Sequence, residues 1–167
     1  MIYCEDTRVS SKLLTKIGVN KKLGVYNDHS TTQVREKILS QLQSGKSLAL
    51  ISDAGTPLIS DPGFKLIDYL QENDIKVVPI PGASSLIAAL SASGMPTDTF
   101  YFGGFLPSTA GKLDKALESV KPIKSTLVFF EGPSRVLKTL KAIEHVFGNV
   151  EVCAARELTK IYEEIKR

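Results

Sequence analysis

Cysteine and histidine are scarce in this chain, and the signatures of the common nucleotide-binding folds are missing. Cys4, Cys153, His29 and His145 are the only residues of those two types among 167, and their spacing matches no metal-ligand pattern. Both cysteines lie in apolar, strand-like runs and read as small buried hydrophobes. His145 falls late in a helical pattern and reads as a partly exposed last-turn residue. His29 precedes a capping pattern and reads as structural, with facing a site as the alternative. There is no G-x-G-x-x-G, and Gly45-Lys46-Ser47 lacks the upstream glycine of a phosphate-binding loop, so it reads as a helix stop entering a strand. With no leader pattern and no long apolar span, a reducing cytoplasm is the expected setting. Charge of one sign is also modest. The 21 Lys+Arg against 18 Asp+Glu leave +3, which permits a phosphate or RNA partner but is not the domain-scale basic stripe of a dedicated nucleic-acid binder. Neither a solenoid-type repeat nor a low-complexity segment is present.

What is there is an ordinary globular composition, 43% apolar and 23% charged, enough to bury a core. Strand-like and helical patterns alternate. Met1–Cys4 reads as a strand end, followed by a helix with Val9, Leu13, Leu14 and Ile17 on one face and Gly18 as its stop. Leu23–Tyr26 suggests a short strand. Ser30 and Gln33 have capping-box spacing ahead of a helix whose stripe is Val34, Ile38, Leu39 and Leu42. Ser47–Ile51 reads as the central strand, and after it Asp61 and Pro62 suit the start of a helix burying Phe64, Leu66, Ile67 and Leu70. Ile75–Ile80 is an unbroken apolar run of the kind buried in a parallel sheet, and a small-residue helix, Leu86–Ser93, closes at Gly94. Met95–Asp98 looks like a linker. Beyond it come a strand at Phe100–Phe105, interrupted by Gly103-Gly104 as at a bulge, and a helix with Leu113, Leu117 and Val120 inward. A strand at Thr126–Phe130 then leads to a helix with Val136, Leu137, Leu140, Ile143 and Phe147 inward, and a last strand at Val150–Ala155. The expectation is an α/β protein of two lobes, residues 1–95 and 96–167, with a parallel sheet in the first and a mixed sheet in the second.

Three strand-end loops concentrate special residues: Ser52–Gly63, Pro81–Ser85 and Glu131–Arg135. Ligands of open α/β sheets collect at the carboxyl ends of strands, and a cleft between the lobes is the expected location. Gly55 allows close backbone approach, and the N–H groups of the helix after Ser84 suit a carboxylate or phosphate. Plain turn chemistry is the alternative for each loop. The crowding of Gly55, Thr56, Pro57, Ser60, Asp61 and Gly63 into one loop favours a ligand there.

Glu5-Asp6-Thr7-Arg8, the run from Ser52 to Gly63, Pro79–Ser85, Phe130–Arg135 and Ala155–Lys160 together resemble the ribosomal RNA small subunit methyltransferase I family, a branch of the tetrapyrrole-methylase superfamily. The match is collinear along essentially the whole chain. The resemblance implies a two-lobed, dimeric, S-adenosylmethionine-dependent enzyme that methylates the ribose 2′-hydroxyl of a cytidine in 16S rRNA of the small ribosomal subunit. It implies cofactor contacts at Ala54, Gly55, Thr56, Pro57, Ile59, Ser84, Ser85 and Glu131, with Thr56 standing where the superfamily pattern carries an aspartate. From the Cys and His spacing no metal is expected. Relatives begin with a further strand and a glycine-containing turn and continue past Arg167, so apolar edges in the first lobe are expected to be uncovered.

Methyl transfer to a hydroxyl needs an in-line geometry and an acceptor for the proton. Asp6 is the first candidate for that acceptor, with Asp53 and Glu131 behind it. Arg8, Arg135, Arg156 and Lys160 are the candidate RNA contacts, with structural ion pairs as the alternative for each. Two other readings stay open: an inactive remnant that binds the cofactor weakly or only self-associates, and a methyltransferase for a small tetrapyrrole-type molecule.

Overall fold

The computed structural model describes residues 1–167, which fold as two compact units, Met1–Ala83 and Ser84–Arg167. The division falls ahead of the Met95–Asp98 stretch where the sequence pattern changes, and the helix that opens at Ser85 belongs to the second unit.

The first unit runs β1 (Ile2–Cys4), α1 (Thr7–Lys16), β2 (Leu23–Val25), α2 (Thr32–Gln43), β3 (Ala49–Ile51) and α3 (Phe64–Glu72). Its three strands form a parallel sheet in the order β2-β1-β3, with Cys4 opposite Val25 on one side and Ile51 on the other, so β1 is central and the strand expected at Ser47–Ile51 lies at the edge. Parallel neighbours need crossover segments, which α1 and α2 supply. Tyr3, Tyr26, Ile38, Leu39, Leu66 and Leu70 make the core. The Gln41 amide donates to the Tyr3 hydroxyl at 2.9 Å, giving that phenol a partner, as buried tyrosines require.

Several expectations for this unit are corrected. The apolar arc of α1 spans two rows, and the helix settles with Ser10 and Leu14 buried, leaving Val9, Leu13 and Ile17 exposed at 43%, 50% and 58%. No capping box opens α2. Its cap is Thr31, without a side-chain bond, and the Ser30 hydroxyl instead accepts from the Asn27 N–H. Nor do Asp61 and Pro62 start α3. The left-handed turns at Leu58 and Ser60 delay the helix until Gly63 caps it at φ 140°, and Phe64 points outward while Leu66 and Leu70 are buried. Ile75–Ile80 makes no ladder. A strand is a pairing, and with no neighbour to take its N–H and C=O groups the run stays exposed at Val77, Val78 and Ile80.

The second unit runs α4 (Ser85–Ser93), β4 (Phe100–Phe105), α5 (Ala110–Val120), β5 (Thr126–Phe130), α6 (Val136–Phe147), β6 (Ala154–Arg156) and β7 (Glu164–Lys166). β4 and β5 pair in parallel, with a register shift between Phe102 and Phe105, where the glycine pair suggested a bulge. There, a Cβ on Gly103 would collide with the Phe129 ring, so the side chain of β5 fills the space that glycine leaves. β6 and β7 form a separate antiparallel ribbon with Arg156 opposite Glu164. The unit is therefore mixed, but as two ribbons. The expected strand at Val150–Ala155 is reduced to Ala154–Arg156. Leu106, Leu113, Leu117 and Val146 form the core. α6 turns Thr139 and Val146 inward and leaves Leu137 exposed, against the expected stripe. Cys4 is fully buried in β1, whereas Cys153 is half-buried and lies outside any strand. No helix is long and apolar enough to cross a membrane.

Candidate functional site

Because β1, β2 and β3 run parallel, the segments leaving their carboxyl ends gather on one edge of the sheet, the edge at which α/β sheets bind ligands. Glu5 and Asp6 follow β1, Asp28 lies just beyond β2, and Ser52 to Gly63 follow β3. Carboxylates accumulate there. Burial raises the Glu5 pKa above its ordinary value, and the negative charges of Asp53, Asp61, Asp28 and Asp6 raise it further. Asp61 is also raised, first by burial and then by Asp53, with the nearby Ser52 hydroxyl opposing.

The loop after β3 has an unusual backbone. Gly55, Leu58, Ser60 and Gly63 all have positive φ, at 71°, 73°, 61° and 140°, although Leu58 and Ser60 carry side chains for which that region is strained by about 1–2 kcal/mol each. The Ser52 hydroxyl, 3.1 Å from the Ala54 carbonyl and 3.3 Å from that of Gly55, holds the first turn. Thr56 donates its hydroxyl to the Ala83 carbonyl at 3.0 Å. That bond joins this loop to the one following Pro81. Nothing lies within 4 Å of where a Cβ on Gly55 would stand, so the backbone there is bare toward solvent. Ile59 is 43% exposed beside it in sequence, and Ala54 and Asp53 are exposed while Pro57 is half-buried.

Asp6 has a different occupation. Its carboxylate caps α1 by accepting from the Arg8 N–H at 2.8 Å, and it takes the Arg8 guanidinium at 2.6–3.1 Å. The hydrogen bonds from Arg8 hold its pKa down to about 2.

In the second unit Ser84 caps α4 and Ser85 begins it, neither using its side chain to bond the helix end. Glu131, at the end of β5, is engaged at both oxygens. Oε1 accepts from the Gly132 N–H at 2.7 Å and pairs with the Arg135 guanidinium, and Oε2 accepts from the Thr139 hydroxyl at 2.5 Å. Arg135 also donates to the Leu106 carbonyl. Burial alone would raise the Glu131 pKa, but the bonds from Thr139 and Gly132 and the Arg135 charge outweigh it, and the net shift is downward.

Each of the four cations expected to meet RNA stands on a carboxylate: Arg8 on Asp6, Arg135 on Glu131, Arg156 on Glu164 and Lys160 on Glu157. Two residues escaped the sequence reading. Glu5 was legible as the residue beside Asp6 in the Glu5–Arg8 run, while Thr139 shows itself only once α6 brings it back over the end of β5. No group of three or more His, Cys, Asp or Glu side chains is arranged to hold a metal ion.

The family profile of the tetrapyrrole (corrin/porphyrin) methylases matches residues 1–167. Among curated proteins, the ribosomal RNA small subunit methyltransferase I of Rickettsia prowazekii is 50% identical over 166 residues, covering 99% of this chain and 59% of that protein. Proteins of the same name from Mesorhizobium japonicum and Pseudomonas aeruginosa are 46% and 44% identical, each over 99% of this chain and 57% and 59% of their own lengths. The chain thus spans less than two thirds of the curated relatives it matches.

Proposed function

The chain belongs to the tetrapyrrole (corrin/porphyrin) methylase family, and from that premise we propose that it works in S-adenosylmethionine-dependent methylation of small-subunit ribosomal RNA, at the ribose 2′-hydroxyl of a cytidine. The observation that supports this reading is the alignment of 99% of the chain with proteins named as small-subunit ribosomal RNA methyltransferases; the cytidine, its 2′-hydroxyl and S-adenosylmethionine rest on the family resemblance. The cytoplasm as compartment and a homodimer as working state belong to the same proposal.

Bound S-adenosylmethionine would supply an electrophilic methyl group on a sulfonium. The loop after β3 fits such a ligand: Gly55 leaves its backbone bare, Ile59 offers exposed apolar surface, and the Thr56–Ala83 bond stiffens the whole. Ala54, Gly55, Thr56, Pro57 and Ile59 are the residues assigned to hold it, and the resemblance adds Ser84, Ser85 and Glu131. For the proton of the ribose hydroxyl, a carboxylate nearer in pKa to the working pH is the better acceptor. Glu5, raised by its neighbours, meets that requirement, and Asp53 is exposed beside it in the acidic group. Asp6 serves better as a cap, being held at about 2, and Glu131 has both oxygens occupied.

Titration calorimetry with S-adenosylmethionine, followed by transfer of labelled methyl to small ribosomal subunits, tests the reading. Heat of binding with label in rRNA supports it, and label in a porphyrin precursor instead would move the activity to a small molecule. The unpaired, exposed run Ile75–Ile80 favours a second reading, in which this chain alone binds the donor but transfers nothing; binding heat without label would select it.

A further inference from the structure

The four cations first expected to touch RNA are neutralised by carboxylates, but another group is not. From Thr7 to Tyr26 there are five cations, Arg8, Lys12, Lys16, Lys21 and Lys22, and no Asp or Glu. The rest of the chain carries the other 16 Lys+Arg against all 18 Asp+Glu, so the positive charge of the molecule is concentrated on α1 and the turn after it. Arg8 is held by Asp6. Lys12, Lys16, Lys21 and Lys22 are all exposed and form no ion pair or side-chain hydrogen bond. Between Lys16 and Lys21 the end of α1 walls an open hollow of about 310 Å³, lined by the apolar Leu14 and Val19, the polar Thr15 and Asn20, and Gly18.

We propose that this corner of the first unit is a contact for an unpaired strand of the RNA substrate, its phosphates taken by Lys12, Lys16, Lys21 and Lys22 and one unstacked base seated in the hollow. The inference rests on the rRNA reading above and extends it to a surface outside the donor loop. Free lysines bind phosphates by releasing counterions, and unstacked bases are what proteins read in single-stranded RNA. The exposed Val9, Leu13 and Ile17 alongside Lys12 and Lys16 also fit the pattern of a helix lying on an anionic membrane. Lys21 and Lys22 lie beyond the helix end, and the polar Thr15 and Asn20 line the hollow, which favours RNA.

The test measures binding of the 167-residue chain to a fluorescent single-stranded 16S rRNA fragment across a salt series. Replacing all four lysines, Lys12→Gln, Lys16→Gln, Lys21→Gln and Lys22→Gln, lowers the slope of log affinity against log salt by about 3, at roughly 0.7 per phosphate contact. The matching Lys→Arg set keeps the slope. Replacing Lys37, Lys46, Lys65 and Lys76 by Gln, an equal loss of exposed charge in the same unit, lowers it far less. Circular dichroism checks that each variant is folded. An unchanged slope in the first variant, with wild type binding RNA and methyl transfer intact, overturns this contact and leaves the rRNA reading standing. Failure of the wild type to bind rRNA at all overturns both. Equal binding to a duplex of the same sequence, or tighter binding to anionic phosphatidylglycerol vesicles lost in the same variant, also overturns it.

Discussion

Glu131→Gln separates a clamp from a proton acceptor. The wild-type carboxylate receives hydrogen bonds from Gly132 and Thr139 and pairs with Arg135, tying the end of β5 to the first turns of α6. Its side chain is 12% exposed and that of Arg135 30%, so the pair is only partly shielded from water. Glutamine keeps one acceptor oxygen and the shape, but loses the charge and places an NH2 against a donor. With hydrogen bonds to charged groups worth about 1.5–3 kcal/mol, and part of that retained, the loss is about 2 kcal/mol. In a chain of this length that lowers Tm by about 4–8 °C. The sign with pH follows from the depressed pKa. The folded state prefers the ionised form, so the stabilisation is present above the ordinary value of 4.5 and fades as the pH falls below it. Urea melts followed by circular dichroism at pH 7 and near pH 3.5 should show a clear deficit at the first that shrinks at the second. A variant as stable as wild type at pH 7, or a deficit independent of pH, would refute the clamp. If methyl transfer collapsed while stability stayed the same, Glu131 would belong to the chemistry.

Glu5→Gln should behave in the opposite way. A raised pKa means the folded state prefers the protonated form, so wild type is relieved below 4.5 and penalised as pH rises through the folded pKa. The variant should therefore melt slightly higher at pH 8 than wild type, converge with it at pH 4, and lose methyl transfer; a fully active variant would remove Glu5 as proton acceptor. Asp6→Asn retains an oxygen for the α1 cap, so methyl transfer should persist. Its melting point should fall modestly at neutral pH, with the difference from wild type disappearing between pH 3.8 and about 2, and abolished transfer with unchanged melting would return Asp6 to the chemistry. Thr56→Val removes the bond to the Ala83 carbonyl at a cost of about 1 kcal/mol, and calorimetry should find weaker S-adenosylmethionine binding. Unaltered affinity would mean the loop is stiff without it.

Local chemistry made the strand, loop and helix around Ser52–Gly63 legible in the sequence. An apolar run, then Gly and Pro, then helical spacing are features of neighbouring residues. The misreadings concern relations between distant residues. Ile75–Ile80 has strand composition, but a strand exists only with a partner. On α1, Val9, Leu13 and Ile17 are as apolar as Leu14, and the packing against β2, not the helix pattern, selects the row of Ser10 and Leu14. Asp61-Pro62 is a sound helix start by type, overridden by positive φ at Leu58 and Ser60. Cations are visible in any sequence, whereas the carboxylates opposite them are not: Arg156 meets Glu164 only because β6 and β7 pair in that register. The candidate loop is thus legible as a local pattern, while the partners of Asp6, Glu131 and the four expected RNA cations emerge only in the folded chain.

The two cysteines are divided between the units, Cys4 in the first and Cys153 in the second. Cys4 is wholly enclosed, with its Sγ 3.6 Å from the Gly24 carbonyl of the neighbouring strand, and a thiol reagent reaches it only when the packing around β1 opens. Cys153, half-buried and outside any strand, reacts without that event. Slow alkylation at Cys4, timed against fast alkylation at Cys153 in the same molecule, thus acts as an internal clock for the opening of the unit that carries the loop after β3.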